Sequence, residues 1–207
     1  MTLLEILEYL SVFIFALTGA LVASRAQLDP VGFLFIAALT AVGGGTVRDL
    51  LLDRNPLFWI DKPIVLVIAA VAAMITFFTA HLLESRLKTL TWLDAAALAV
   101  AVPTGVGVAV NQSQEWPIVL IMGVTTGCFG GLMRDVVCNE VPLVLKQGEL
   151  YISAAFIGAG AAMIAIGAGI AQPIALIFCA GVTFALRAGS LALGWSMPAY
   201  KSRPPRQ

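Results

Sequence analysis

Charge is scarce in this chain. Its 207 residues include only 12 Lys and Arg and 12 Asp and Glu, 12% of the total, whereas a soluble domain carries about twice that fraction. With 60% hydrophobic residues and a mean hydropathy of +0.96, the composition is that of a polytopic membrane protein with no soluble domain between its spans. The formal net charge is zero, so no nucleic-acid partner is indicated. Histidine occurs once, as His81 toward the end of an apolar run, and one histidine does not make a metal site. The cysteines number three: Cys128, Cys138 and Cys179. Their spacing fits neither zinc nor a redox pair, and they read as small core residues. No Walker loop, zinc motif or GxSxG elbow occurs, so no enzyme chemistry, metal or cofactor is expected. The first residues hold Glu5 and Glu8 without a basic cluster, unlike a cleaved signal peptide, and the first span is expected to be retained.

Against this apolar background one polar stretch stands out: Gly43-Gly44-Gly45-Thr46-Val47-Arg48-Asp49, late in an apolar segment that begins at Pro30. Consecutive glycines weaken a helix. In lipid, a weakened helix is tolerated only where the freed backbone faces protein or water. The arginine and aspartate are costly there and are expected to face a bundle interior or an aqueous path. A second such stretch, Gly130-Gly131-Leu132-Met133-Arg134-Asp135, follows 86 positions later.

The repeat extends beyond the motif. At the same offset Thr18-Gly19 matches Thr104-Gly105, Thr40 matches Thr126, Pro56 matches Pro142, and Glu8 falls on Asp94. Residues 5–87 and 91–170 therefore read as two copies of one unit. Residues 172–195 form an extra span, and 196–207 form a basic tail.

Hydropathy predicts seven spans of the length a bilayer core demands: Ile6–Ser24, Pro30–Leu52, Pro63–Leu83, Trp92–Val110, Pro117–Cys138, Leu150–Ala171 and Pro173–Trp195. Pro103 predicts a kink in span four. The four tryptophans (Trp59, Trp92, Trp116 and Trp195) fall at predicted span ends, as interfacial residues do. With the N-terminus outside, the inside loops and tail hold Arg25, Arg86, Lys88, Lys146, Lys201, Arg203 and Arg206, and the outside loops only Arg54 and Lys62. The positive-inside rule then sets the C-terminus in the cytoplasm. A three-span unit ends on the side opposite its start, so its second copy is inserted upside down. The fold class expected is an all-α membrane protein of seven transmembrane helices, an inverted 3+3 repeat plus one. In such folds the pathway lies at the repeat interface, and interrupted helices in matching positions mark it. Here these are spans two and five.

Arg48, Asp49, Arg134 and Asp135 are the candidate pore and gating residues. Gly43, Gly44, Gly45, Gly130, Gly131 and Pro103 are the candidate kink positions. Successive helical residues point about 100° apart, so Arg48 is not expected to neutralise Asp49. Each is expected to pair instead with the opposite repeat, Glu8 or Asp94, a carbonyl or water. Glu8 and Asp94 open spans one and four and read as capping groups. The hydroxyls of Thr18, Thr40, Thr104 and Thr126 either line the path or bond to their own helices. Arg187 is expected to snorkel to the inner surface. Gly158, Gly160 and Gly167 read as packing positions.

The paired motifs, each with its proline (Pro56 and Pro142), resemble those of the TRIC family, the trimeric intracellular cation channels, in its prokaryotic branch. The same motif pair occurs in bacterial proteins sometimes called glycine transporters. The resemblance covers nearly the whole chain. It implies a 3+3+1 protomer in a membrane-embedded homotrimer, with one pore per protomer lined by kinked spans two and five. It further implies passive conduction of monovalent cations, mainly K+ with Na+ as a second candidate, in a prokaryotic plasma membrane. The Lys-Glu-Val stretch of animal members is absent, which removes the basis for their voltage gating and lipid regulation. Phe129 also stands where the first motif has Gly43. The alternative is a small amino-acid transporter in which the arginines hold a carboxylate.

Overall fold

The computed structural model describes residues 1–82, 85–146 and 148–198, without the side chain of Arg86. Lys201, Arg203 and Arg206 of the tail therefore lie outside the described residues. Among the described residues eight α-helices follow one another: α1 Leu3–Arg25, α2 Pro30–Leu51, α3 Phe58–Asp61, α4 Ile64–Thr79, α5 Arg86–Asn111, α6 Trp116–Val137, α7 Ile152–Gly167 and α8 Gln172–Leu193. Short 3-10 turns at Ala80–Leu82 and Leu143–Leu145 complete the elements. No strand occurs among the described residues.

Polar side chains cap the starts of α1, α2 and α5. Thr2 caps α1, its hydroxyl accepting from the Glu5 amide while the Glu5 carboxylate accepts from the Thr2 amide, a reciprocal capping box. Asp29 caps α2 by accepting from the Gly32 amide at 2.7 Å, with Pro30 next in the chain. Ser85 caps α5. The helix ends repeat at the offset of 86 where the sequence does not. Gln27 and Ser113 follow α1 and α5 with φ 55°, and Asp53 and Asn139 follow α2 and α6 with φ 49° and 54°. A left-handed residue there lets amides return to the last carbonyls. Arg54 N–H thus meets Asp49 C=O, and Glu140 N–H meets Asp135 C=O, both at 2.8 Å.

The helices α1, α2, α5 and α6 form the centre. Against them, α4 packs on α1 and α2, while α7 and α8 pack on α5 and α6, α8 chiefly on α5. One apolar core joins α1, α2 and α4 through Val12, Ala20, Ile36, Ala69 and Ala73. A second joins α5 to α8 through Val102, Val106, Ala159, Leu176 and Cys179. Leu4 lies on Gly107, while Leu21 clusters with Leu90, so α1 and α5 run antiparallel.

Several expectations are corrected. Span four starts at Arg86 rather than Trp92, because Ser85 provides the cap, so Trp92 lies in the second turn of α5. Among the described residues, six helical segments are long and apolar enough to cross a membrane. The sixth expected span is only the 16-residue α7, about 24 Å long against a hydrocarbon core of about 30 Å. The glycines do not interrupt α2 or α6, which are helical throughout, and Pro103 lies inside α5 without ending it. What the glycines do is remove bulk. A β-carbon on Gly44 would overlap the carbonyl oxygen of Thr126, and one on Gly130 would overlap that of Thr40. Likewise Gly19 sits against Thr40 and Gly105 against Thr126. Small residues here bring helix backbones together, as they do across membrane interfaces. In α7, Gly158 lies against Thr183 and the Cys179 carbonyl, whereas Gly160 and Gly167 meet nothing within 4 Å in the protomer. Cys128 and Cys179 are buried and Cys138 is partly so, each as a free thiol.

Candidate functional site

Two arginine–carboxylate clusters, one at each end of the central four helices, occupy the positions of the repeated motif. In the first, Arg48 donates from Nε to Asp49 Oδ1 at 2.8 Å and from Nη2 to Glu8 Oε1 at 3.3 Å. In the second, Arg134 donates from Nε to Asp135 Oδ1 at 2.7 Å and from Nη1 to Asp94 Oδ1 at 3.0 Å. Both arginines are at most 1% exposed. A charge-assisted pair of this kind offsets part of the cost of burying each ion.

These bonds correct two expectations. Neighbours on a helix do diverge by about 100°, but the long arginine side chain folds back across that angle and its Nε reaches the next residue. Nor are Glu8 and Asp94 capping groups, since Thr2 and Ser85 hold those positions. Glu8 and Asp94 stand a turn or more inside their helices, both buried, where each neutralises the arginine 40 residues ahead.

The aspartates have a second task. Asp49 Oδ2 accepts from the Phe58 amide at 2.8 Å, and Asp135 Oδ2 from the Leu143 amide at 2.9 Å. Each carboxylate thus ties an arginine to the loop beyond its helix. On the first side, Arg54 adds an ion pair to Asp49 at 3.6 Å, Trp59 Nε1 donates to Thr46 Oγ1 at 3.0 Å, and Lys62 pairs with Glu5 at 2.8 Å. The Phe58 ring lies 5.3 Å from the Arg48 guanidinium and packs on Gly45.

The second side carries a third arginine. Arg187 of α8 is fully buried, so it does not snorkel. Its Nη2 lies 2.7 Å from Glu149 Oε2, and its guanidinium lies 4.8 Å from the ring centroid of Tyr151. The Tyr151 hydroxyl in turn lies with Asp94 and Arg134 around Gly131. Burial pushes the Glu149 carboxyl up, but the hydrogen bonds and charges of Lys146 and Arg187 outweigh it and hold the group below the ordinary glutamate range.

Between α1, α2, α5 and α6 lies a cavity of about 10 Å³, bordered by Glu8, Ser11, Arg48, Phe58, Thr104 and Thr126 among others. That is room for about one water molecule. The structure brings Arg48, Thr104 and Thr126 to this cavity, along with Gly44 and Gly45. Asp49, Arg134, Asp135, Thr18 and Thr40 do not border it. All four threonines donate to their own helices: Thr18 to the Phe15 carbonyl, Thr40 to Ile36, Thr104 to Val100 and Thr126 to Met122. Sequence reasoning missed Ser11, Phe58, Glu149 and Tyr151. The signal for Ser11 was its place three residues after Glu8, on the same helical face. Phe58, Glu149 and Tyr151 lie in loops or short turns where no period exists to mark them. Among the described residues no group of three or more His, Cys, Asp or Glu is placed to hold a metal.

The fold and the paired clusters define an all-helical membrane protein in which buried ion pairs join the central helices. The sequence model of the family described as "Glycine transporter" matches the chain twice, over residues 5–81 and 91–167. The chain belongs to that family. It is 36% identical over 204 residues to a UPF0126 membrane protein of Vibrio cholerae, covering 96% of this chain and 83% of the relative. It is 40% identical over 156 residues to the UPF0126 inner membrane protein YadS of Escherichia coli K12, covering 73% of each. Among solved structures, the TRIC trimeric intracellular cation channel orthologue from Rhodobacter sphaeroides superposes with a TM-score of 0.91 at 40% identity, covering 94% of this chain and 100% of that one. A chain from a structural study of conductance through TRIC cation channels superposes with a TM-score of 0.85 at 31% identity, covering 97% and 98%. The resemblance carried by the paired motifs is thereby confirmed.

Proposed function

We propose that this protein is a channel for monovalent cations, mainly K+, with one path per protomer through the cavity between α1, α2, α5 and α6. The observation that carries the reading is the cavity itself. It gathers Glu8, Arg48 and the hydroxyls of Ser11, Thr104 and Thr126 at the meeting point of the four central helices. Polar and ionisable groups are kept inside a membrane at a cost, and they mark ion pathways. The solved structures named as cation channels share the fold over nearly the whole chain. A void the size of one water molecule corresponds to a closed path, with Arg48 across it and Phe58 over it.

The wider architecture follows the same reading. The reciprocal contacts of Gly44 with Thr126 and Gly130 with Thr40 support an inverted 3+3 repeat about an axis between α2 and α6. The apolar residues flanking α7 extend it to a seventh span. The N-terminus is outside and the C-terminus inside, in a prokaryotic inner membrane, and the protein assembles as a homotrimer. Arg48 and Arg134 act as the charged elements of the path, while Asp49 and Asp135 hold the loops at its two ends.

A second reading, transport of a small amino acid, takes support from the buried Arg48 guanidinium beside the cavity, a natural partner for a carboxylate. Planar bilayers holding the purified protein under a KCl gradient separate the two. Unitary currents that reverse toward the K+ potential are the expected result. Silent bilayers together with saturable glycine uptake into liposomes overturn the channel in favour of the transporter.

A further inference from the structure

The geometry points to a binding site for one largely dehydrated monovalent cation in the central cavity, formed by the Glu8 carboxylate and the hydroxyl oxygens of Ser11, Thr104 and Thr126. In this closed state the Arg48 guanidinium serves as a tethered substitute for that cation. The inference deepens the channel reading and rests on it for its regulatory meaning, though binding can be tested without conduction.

The hydroxyl protons decide the character of the site. Ser11 donates to the Glu8 carbonyl at 2.8 Å, Thr104 to Val100 at 2.8 Å and Thr126 to Met122 at 2.7 Å. A hydroxyl has one proton and two lone pairs. With its proton spent on its own helix, each of these oxygens offers the cavity only acceptor electrons. Glu8 adds a carboxylate that is 6% exposed, and Arg48 reaches its Oε1 at a lengthy 3.3 Å. Apart from the Arg48 guanidinium, the polar side chains bordering the cavity therefore present oxygen acceptors. Oxygen donors of this kind suit hard cations. A void that admits one water also admits one bare alkali cation, which is of similar size.

The equivalent place in the second repeat is built differently. Position 97 is alanine where the first repeat has Ser11. Asp94 and Arg134 are both fully buried, with Tyr151 packed beside them. The site is therefore single, and Arg48 is the arginine of the two that borders it. Asp49 Oδ1 lies 2.8 Å from both Nε and Nη2 of Arg48, and the same Nη2 reaches Glu8 at 3.3 Å, so the guanidinium keeps Asp49 as a partner when a cation takes its place at Glu8. An entering cation compensates Glu8 and releases Arg48. Departure of the cation brings Arg48 back to Glu8.

The test compares unfolding temperatures in lipid nanodiscs as KCl replaces choline chloride at constant ionic strength, choline being too large for the cavity. Arg48→Gln leaves Glu8 without its cation and is expected to unfold at a higher temperature in KCl. Wild type is expected to show a smaller effect, and Arg48→Gln/Glu8→Gln none. Identical melting of Arg48→Gln in the two salts overturns the site, as does a K+ effect that survives in the double variant. If neither variant folds, Thr104→Val in the otherwise native chain carries the test. Its K+ requirement for half-maximal stabilisation should rise about fivefold for the loss of one oxygen contact; an unchanged requirement, or a wild type indifferent to the exchange, overturns the site. Bilayer recordings on the same preparation keep the two claims apart. K+-dependent stabilisation without unitary currents sinks the channel and leaves the site, whereas currents without such stabilisation sink the site and leave the channel.

Discussion

Gly44 of α2 lies against the carbonyl oxygen of Thr126 on α6, and 86 positions away Gly130 of α6 lies against the carbonyl oxygen of Thr40 on α2. The two contacts are one contact written twice, with the helices exchanging roles. They fix how close α2 and α6 approach, and hence the width of the cavity beside them.

Replacing either glycine forces those backbones apart. Gly44→Ala and Gly130→Ala are expected each to lower stability by about 1–3 kcal/mol, the usual cost of overpacking, read as a drop in unfolding temperature in detergent. Gly181→Ala is the control. It meets nothing within 4 Å, and alanine favours a helix over glycine by about 1 kcal/mol, so its melting should be unchanged or raised.

The two arginines should not respond alike. Arg134→Ala leaves Asp94 and Asp135 buried without their cation, a loss of about 3–5 kcal/mol. Arg48→Ala strands Glu8 as well, but next to a cavity that admits water, and Arg54 still faces Asp49. It should yield folded protein under conditions where Arg134→Ala does not. Size-exclusion profiles of the two variants after identical extraction check this.

Asp49→Asn and Asp135→Asn test the loop ties. Each removes a charged acceptor from a backbone amide, Phe58 and Leu143 respectively, worth about 1.5–3 kcal/mol. Amide hydrogen exchange should quicken in residues 54–62 for the first and 140–146 for the second, each leaving the other loop unchanged.

Glu149 carries a pH dependence. Its folded-state carboxyl titrates below the ordinary glutamate value, so the stability it contributes is present above that value, about 4.3. That contribution is lost as pH falls through the lower, folded-state value. Wild type should therefore lose unfolding temperature faster than Glu149→Gln as pH drops below about 4.3. Parallel curves for the two proteins refute the Glu149–Arg187 pairing as a source of stability.

Composition alone determined that this is a membrane protein, because 12% charge cannot dress a soluble surface. The offset of 86 marked Arg48 and Arg134 as counterparts in position, because the motif and its flanks recur without a gap. Hydropathy located the helices, though the α5 start moved to Arg86, behind the Ser85 cap, where a hydroxyl outweighs apolar content. The pairings were decided only in the tertiary structure. Arg48 reaches Asp49 because a flexible side chain is not bound by the angle between neighbouring Cα positions, and Glu8 finds Arg48 only once α1 and α2 pack side by side. The same holds for the glycines, whose use depends on what lies opposite: the sequence marks Gly44 as a weak point in a helix, and packing makes it a point of contact. Arg187 reads from sequence as a residue reaching for the surface, yet the fold seats it at Glu149 and Tyr151, partners that no spacing connects. A sequence records which groups are costly to bury; the packed helices determine which groups share that cost.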